Sequence, residues 1–361
     1  MSTQAHAEPI RARRRRRRPV SELVVSAIGL TLVALVVLWL GINLVKDWST
    51  FLQLSFSGLT RGSMYALVAL GYTLVYGILE LIIFAHGDVF MIGGMITATV
   101  VINIFDLGSN PSLSTLVPVI LISLAVAMIG CGLLNTTIER VAYKPLRGAP
   151  RLVPLITAVG VAFILENIAF VWKGPRPVSL PPNTLPNDAV FTLGSCPKCA
   201  VYRWDQFFVI LVTIPVLLGL VWLVRYTRRG KAMRATAQDR DAAAMMGIDV
   251  NRTISFTFLV AGALAGAAGV IFTLYGTTIQ FNTGFTLGLI AFTAAVLGGI
   301  GNLPGAVLGG LLIGFIQDYN EGLSWHAPGS AWTNSIVFGI LILILVFRPQ
   351  GLLGEQTPEG G

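Results

Sequence analysis

The chain has 361 residues, of which 54% are hydrophobic and only 12% charged, so its charge is about half the ~25% usual in a soluble globular protein. That balance excludes an ordinary soluble enzyme and points to a membrane protein. The net charge of +8 is no nucleic-acid signature, because residues 1–20 hold seven arginines against one glutamate and leave +2 for everything else.

The basic tail, residues 1–20, contains "RARRRRRRP". Alone, such a run reads as a nucleic-acid or nuclear-import patch. Beside a membrane span it orients the chain and touches anionic membrane lipid, gaining about 1 kcal/mol per basic residue near the surface, so no nucleic-acid partner is expected. Residues 21–46 follow as an additional amino-terminal transmembrane helix. Leu23 to Val45 is free of charge and no Ala-x-Ala site follows closely, which favours an anchor over a cleaved signal peptide.

Further charge-free runs continue to the carboxyl end, the longest from Thr253 to Gln317. Since one span takes roughly 20 apolar residues, that run must contain more than one. Breaks are placed at Tyr275 to Gly284 and near Asn302-Leu303-Pro304. The expectation is an all-α polytopic protein of about ten transmembrane helices (8–10): Leu23–Val45, Gly58–Leu79, Val89–Phe105, Leu113–Asn135, Leu152–Trp172, Phe207–Val224, Ile254–Tyr275, Phe285–Gly301, Gly305–Tyr319 and Thr333–Phe347. With both termini cytoplasmic, the inner segments hold 19 of the Lys and Arg residues and the outer segments 6, the asymmetry that topology demands.

Within this frame "ELIIFAHGDVFMIGG", Glu80 to Gly94, puts His86 and Asp88 where apolar residues belong. Residues two apart do not share a helix face. Gly87 suggests that a helix ends there, and Asp88 suits the N-cap of the next one. A break at membrane depth must face protein or a water-filled path, so both a structural break and direct solute contact by His86 stay open. Glu166 is the one carboxylate inside an otherwise clean span, to be protonated, paired or turned to a cavity. One such group is too few for a proton relay.

Residues 173–205 form an outer, proline-rich loop. Its "CPKC", Cys196 to Cys199, lacks the second pair that a tetrathiolate zinc site needs, leaving a local disulfide, free thiols or a metal shared between chains; an outward position favours the disulfide. The inner loop, residues 225–252, combines strong helix formers with Gly247, suited to a helix end. A short helix outside the bilayer is expected, with Ala242, Met245, Met246 and Ile248 as an apolar contact surface. The alternative is a connector lying on the membrane surface. In "LGGIGNLPGA", Gly298, Gly299 and Asn302 mark either a plain turn or a broken helix beside a substrate path. Glycine pairs four apart (Gly262 with Gly266, Gly305 with Gly309, Gly310 with Gly314) allow close helix packing.

No catalytic constellation is evident. The only Gly-Lys pair, Gly230-Lys231, has Arg225 where a phosphate loop needs its first glycine, and no zinc-protease or nucleophile-elbow motif occurs. A transport protein whose energy comes from a partner is the natural reading, with a secondary transporter or channel working alone as the rival.

Four stretches carry a resemblance: "GLTRGSMYALVALGYTLVYGILELIIFAHGDVFMIGG" (Gly58 to Gly94), "IERVAYKPLR" (Ile138 to Arg147), "RYTRRGKAMRATAQDRDAAAMMGID" (Arg225 to Asp249) and "FTAAVLGGIGNLPGAVLGGLLIG" (Phe292 to Gly314). In this order they resemble the permeases of branched-chain amino acid ABC importers, specifically the H-type subunit, over residues 55–350. The resemblance implies a permease with no cofactor of its own. It would pair with a second, M-type permease and receive solute from an extracytoplasmic solute-binding protein. Two ATPase subunits would carry the ATP and Mg. It also identifies the inner loop as the ATPase-coupling segment, with Ala237, Asp239, Ala242, Gly247 and Ile248 on the family pattern and Arg234 and Asp239 fixing orientation. The arginine-rich tail with its extra span, the "CPKC" loop, and "IIFAHGD" in place of the usual "INFAHGE" depart from that pattern. Permeases for urea or short amides share the Phe-Ala-His-Gly segment, so they stand as the alternative for solute.

Overall fold

A computed structural model describes residues 20–79, 83–150, 152–194, 199–348 and 350–354. Most of the basic tail, Glu80, Arg151, Cys196 and the closing residues 355–361 lie outside them. The described chain is mainly helical: α1 (Val20–Lys46), α2 (Trp48–Leu79), α3 (Ala85–Thr99), α4 (Leu113–Ile138), α5 (Leu152–Lys173), α6 (Trp204–Tyr226), α7 (Arg228–Gln238), α8 (Arg240–Met245), α9 (Val250–Gly276), α10 (Thr283–Gly298), α11 (Leu303–Gly322) and α12 (Thr333–Phe347). Four short strands complete it. β1 (Val178–Ser179) pairs antiparallel with β4 (Thr278–Ile279), and β2 (Ala189–Leu193) pairs antiparallel with β3 (Ala200–Arg203). The described residues fall into two compact units divided after Trp48, the first containing α1.

All ten expected hydrophobic segments appear as helices, most within a few residues of the sequence reading. Among the described residues, seven are long and apolar enough to cross a membrane: α2, α3 with its π-helical continuation to Ile104, α4 with its continuation to Leu146, α5, α6, α9, and α12 with the 3-10 turn before it. Two of the remaining helices have physical reasons for falling short. α10 has 16 residues, about 24 Å of helix, which is short of a ~30 Å hydrocarbon core. α11 carries Asp318 and Glu321 in its last two turns.

Glycine positions set which helices meet. On α9, a Cβ at Gly262 would lie 2.4 Å from the Cys131 carbonyl oxygen and one at Gly266 2.4 Å from that of Ala127, so α9 lies directly against α4. Gly310 and Gly314 bring α11 equally close to Ala66 and Gly62 of α2. In a solvent as apolar as the side chains themselves, such backbone approach supplies the dispersion contact that holds helices together. The interior is built from α2, α3 and α9, whereas α6 and α12 present mostly exposed apolar residues such as Leu218, Trp222, Leu345 and Val346.

The "LGGIGNLPGA" stretch is a tight turn. Gly299 and Gly301 have φ of 107° and 94°. Asn302 caps α11 by accepting from the Gly305 N–H at 3.1 Å and donates its own Nδ2 to the Leu353 carbonyl at 2.7 Å. The Leu352 and Leu353 N–H groups then bond to the carbonyls of Leu297 and Gly298. The geometry is that of a closed turn between α10 and α11.

Candidate functional site

The sequence marks two regions, and the fold builds each differently. The first is the start of α3. Ala85, His86, Gly87 and Asp88 form its first turn, and His86 and Asp88 are 2% and 1% exposed. The residue before the helix, Phe84, already has helical dihedrals of −58° and −33° and makes no side-chain cap. This corrects two expectations. The helix break precedes Ala85, so Gly87 does not end a helix and Asp88 is not an N-cap.

Gly87 has another task. A Cβ there would come within 2.4 Å of the Gly284 carbonyl oxygen and 2.6 Å of Gly288 Cα, so its missing side chain lets the start of α10 press against the start of α3. Gly284 in turn lies against Asp88, with its Cβ position 2.6 Å from Oδ1. On the α2 side, Gly71 makes room for the His86 ring, since a Cβ at Gly71 would fall 2.1 Å from Nε2. Tyr72 meets that ring edge-on with centroids 4.8 Å apart.

The polar atoms gathered here are poorly satisfied. Neither carboxylate oxygen of Asp88 has a hydrogen-bond partner among the described residues, and the imidazole lies by the Val68 carbonyl without a well-formed bond. Glu166, half-buried on α5, is close enough to Asp88 for the two carboxylates to act on each other electrostatically. The sequence placed these two in separate spans with nothing to connect them. A cavity of about 10 Å³ lies beside His86, walled by Tyr72, Tyr76, Asn135, Phe258 and Phe292, enough for about one water. Ionisable groups buried inside a span without partners are expensive, and such groups characteristically line solute or ion paths. Gly298, Gly299 and Asn302 do not wall this cavity, although Ile300 beside them does.

The second region is the inner loop, which folds as two short helices from local signals. Thr227 caps α7 by accepting from the Gly230 N–H at 3.0 Å. Asp239, with an extended backbone, caps α8 through Oδ1, which accepts from the N–H groups of Asp241 and Ala242 at 2.9 Å each. Gly247 ends the turn at φ 81°, the left-handed conformation glycine takes without cost. Asp249 then caps α9. Met245 and Met246 at the tip are 82% and 83% exposed, Ala242 and Ile248 are half-buried, and Ala237 is exposed. Arg234 donates to the Arg225 carbonyl at 3.3 Å, stitching α7 to the end of α6.

Three networks were missed from sequence. Arg240, not singled out, donates to the Ile78 carbonyl at 2.6 Å and so ties α8 to the last turn of α2, just ahead of the break leading to His86. Buried Glu139 pairs with Arg147 and accepts from Ser255 Oγ at 2.7 Å. Near the middle of α2, Arg61 bridges Asp318 at 2.9 Å and Glu321 at 3.0 Å. The signal for the last was present: an arginine bordering an apolar run requires a carboxylate from another helix. Beyond the membrane segments, Arg203 of β3 pairs with Asp205, a contact that raises the guanidinium pKa. Cys199 takes part in a disulfide, while Cys196 is outside the described residues.

Against known proteins, residues 54–346 match the family described as branched-chain amino acid transport system / permease component. The chain is 40% identical over 311 residues to the high-affinity branched-chain amino acid transport system permease protein BraD of Pseudomonas aeruginosa, spanning 86% of this chain and 97% of that one. It is 38% identical over 309 residues to the corresponding permease protein LivH of Escherichia coli, again over 86% and 97% of the two chains. Among solved structures, PsaBC from Streptococcus pneumoniae in complex with Fab aligns with a TM-score of 0.41 and 15% identity, over 86% of this chain and 95% of that one. The chain therefore belongs to the family of branched-chain amino acid transport system permease components.

Proposed function

We propose that this chain is the membrane permease of an ATP-driven ABC importer for branched-chain or related apolar amino acids, working in the cytoplasmic membrane by alternating access. In this reading a second permease, two ATPase subunits that bind ATP and Mg, and an extracytoplasmic solute-binding protein complete the machine. The chain contributes the path and the coupling segment, with no ATPase site of its own. The relatives carry the branched-chain assignment, which leaves the urea or short-amide alternative and the stand-alone transporter without a supporting observation.

The observation that best supports the mechanism is the linkage from Met245–Met246 through Arg240 to the end of α2. A pair of exposed methionines on a doubly capped helix is a deformable apolar plug suited to a cleft on a partner. When nucleotide closes the ATPase pair, that plug is displaced as a rigid body. Arg240 passes the displacement to Ile78, one residue short of the end of α2, and from there to the start of α3. In this reading the Gly87–Gly284 contact and the Asp88–Glu166 neighbourhood repack there between two arrangements, and a switch of this kind biases the permease between inward and outward states.

The test is reconstitution of the whole importer in proteoliposomes. ATP-dependent leucine uptake is expected, and the double variant Met245→Glu/Met246→Glu should abolish solute-stimulated ATP hydrolysis while the permease still inserts. Solute uptake by the permease without its ATPase, or hydrolysis stimulated as in the wild type by the double variant, would refute the reading. Calorimetric titration of the partner binding protein with leucine and with urea decides the solute.

A further inference from the structure

A groove of about 320 Å³ opens between the end of α4 and the start of α9. Its rim is basic: Arg140, Lys144 and Arg252 line it and all three are exposed. Phe256 and Leu259, farther along α9, give it an apolar floor, and Thr136, Asn251 and Ser255 complete the lining. Arg140 lies within the π-helical turn Glu139–Tyr143 that continues α4, and Lys144 follows directly after it, so the two cations stand one turn apart.

The carboxylates nearby leave this rim positive. Glu139 is fully buried and engaged by Arg147 and Ser255. Asp249 pairs with Arg252 at 3.0 Å, but in an exposed, hydrated geometry where an ion pair is worth little. A fourth cation, Arg229 of α7, sits over the Phe256 ring with its guanidinium carbon 4.6 Å from the centroid. Below Arg140, at helical spacing on α4, Leu133 and Ile129 are 57% and 64% exposed and continue the apolar track from the floor.

We infer that this groove is a binding site for an anionic phospholipid, its phosphodiester held by Arg140, Lys144 and Arg252 and an acyl chain lying along Phe256, Leu259 and the exposed face of α4. Basic pockets between the ends of spanning helices recognise such headgroups, and guanidinium forks match phosphate oxygens in pairs. A soluble phosphate would engage the rim alone and leave the apolar floor in water. The floor is therefore the reason to assign a lipid. Because Arg229 belongs to α7 and stacks on Phe256, an occupied groove sets the lipid's charge beside the start of the coupling segment.

Native mass spectrometry of the full-length protein, titrated with phosphatidylglycerol, phosphatidylcholine and inorganic phosphate, tests this. Phosphatidylglycerol is expected to be retained in preference to phosphatidylcholine, and phosphate at the same headgroup concentration should not displace it. The variant Arg140→Gln/Lys144→Gln/Arg252→Gln should lose roughly 100-fold in affinity for the anionic lipid, as expected for three cations near its charge, with Arg140→Lys/Arg252→Lys retaining binding. A photoreactive phosphatidylglycerol should label the Phe256–Leu259 stretch even if the triple variant proves unstable. Equal retention of phosphatidylcholine, unchanged binding by a folded triple variant, or labelling confined to other helices would overturn the site. Displacement by phosphate would reassign the rim to a soluble anion, and displacement by the ATPase subunit would reassign it to protein contact.

Discussion

Asp88 and Asp239 are the same residue type, each at the start of a helix, yet they do opposite things. Asp239 has extended dihedrals of −157° and 116°, and its carboxylate accepts two backbone N–H bonds at an exposed site. Asp88 lies inside the first turn of α3, buried, with neither oxygen hydrogen-bonded among the described residues. A cap requires a non-helical residue immediately before the helix, and at α3 that place belongs to Phe84, whose backbone is already helical. One aspartate thus serves local stability, whereas the other is an unpaired polar group retained at the centre of a helix contact. The contrast separates residues that make the fold from residues that the fold must accommodate for another reason.

The largest effect expected from breaking this contrast is at Gly87. Gly87→Leu forces a side chain into the backbone of α10 and should cost several kcal/mol, more than the 1–3 kcal/mol typical of overpacking; fluorescence-detected size exclusion should show loss of folded protein. Asp88→Asn should do the reverse for stability. Removing an unpaired buried carboxylate relieves a desolvation cost, so the thermal midpoint should hold or rise while uptake in the reconstituted importer falls at least tenfold. Unimpaired uptake would make Asp88 merely structural. Arg240→Ala removes a charge-assisted bond worth about 1.5–3 kcal/mol. Here hydrolysis by the ATPase pair should persist with reduced solute uptake, read by the ratio of leucine moved to ATP consumed. The smallest effect belongs to Asp239→Ala, a lost cap of about 1 kcal/mol, visible as a modest drop in thermal midpoint.

Much of this was legible in the chain itself. Most helix bounds followed from apolar run length, and the helical inner loop with Gly247 at a helix end was readable without its neighbours, whereas the single helix expected there is two, divided at Asp239, which caps α8. The α3 start misled for the converse reason. A glycine between two polar residues looks like punctuation in one dimension, and only the arrival of Gly284 and Gly288 from nearly 200 residues away reveals it as a contact surface. Glu166 was visible as an unusual carboxylate but not as a neighbour of Asp88. Arg240 was hidden by its position on a solvated helix, where a charge needs no explanation.

The sequence by itself determined that this is a helical membrane protein, roughly where its apolar helices run, and that its inner loop is helical with a glycine at a helix end, because hydropathy and helix propensity act over one to twenty residues. Only the tertiary structure decided which polar groups share a site, that Asp88 lies within electrostatic reach of Glu166 while His86 sits against Gly71, and that three cations ring one groove. In a bilayer the packing of helices is set by backbone approach at small residues, and which glycine meets which backbone depends on every helix at once.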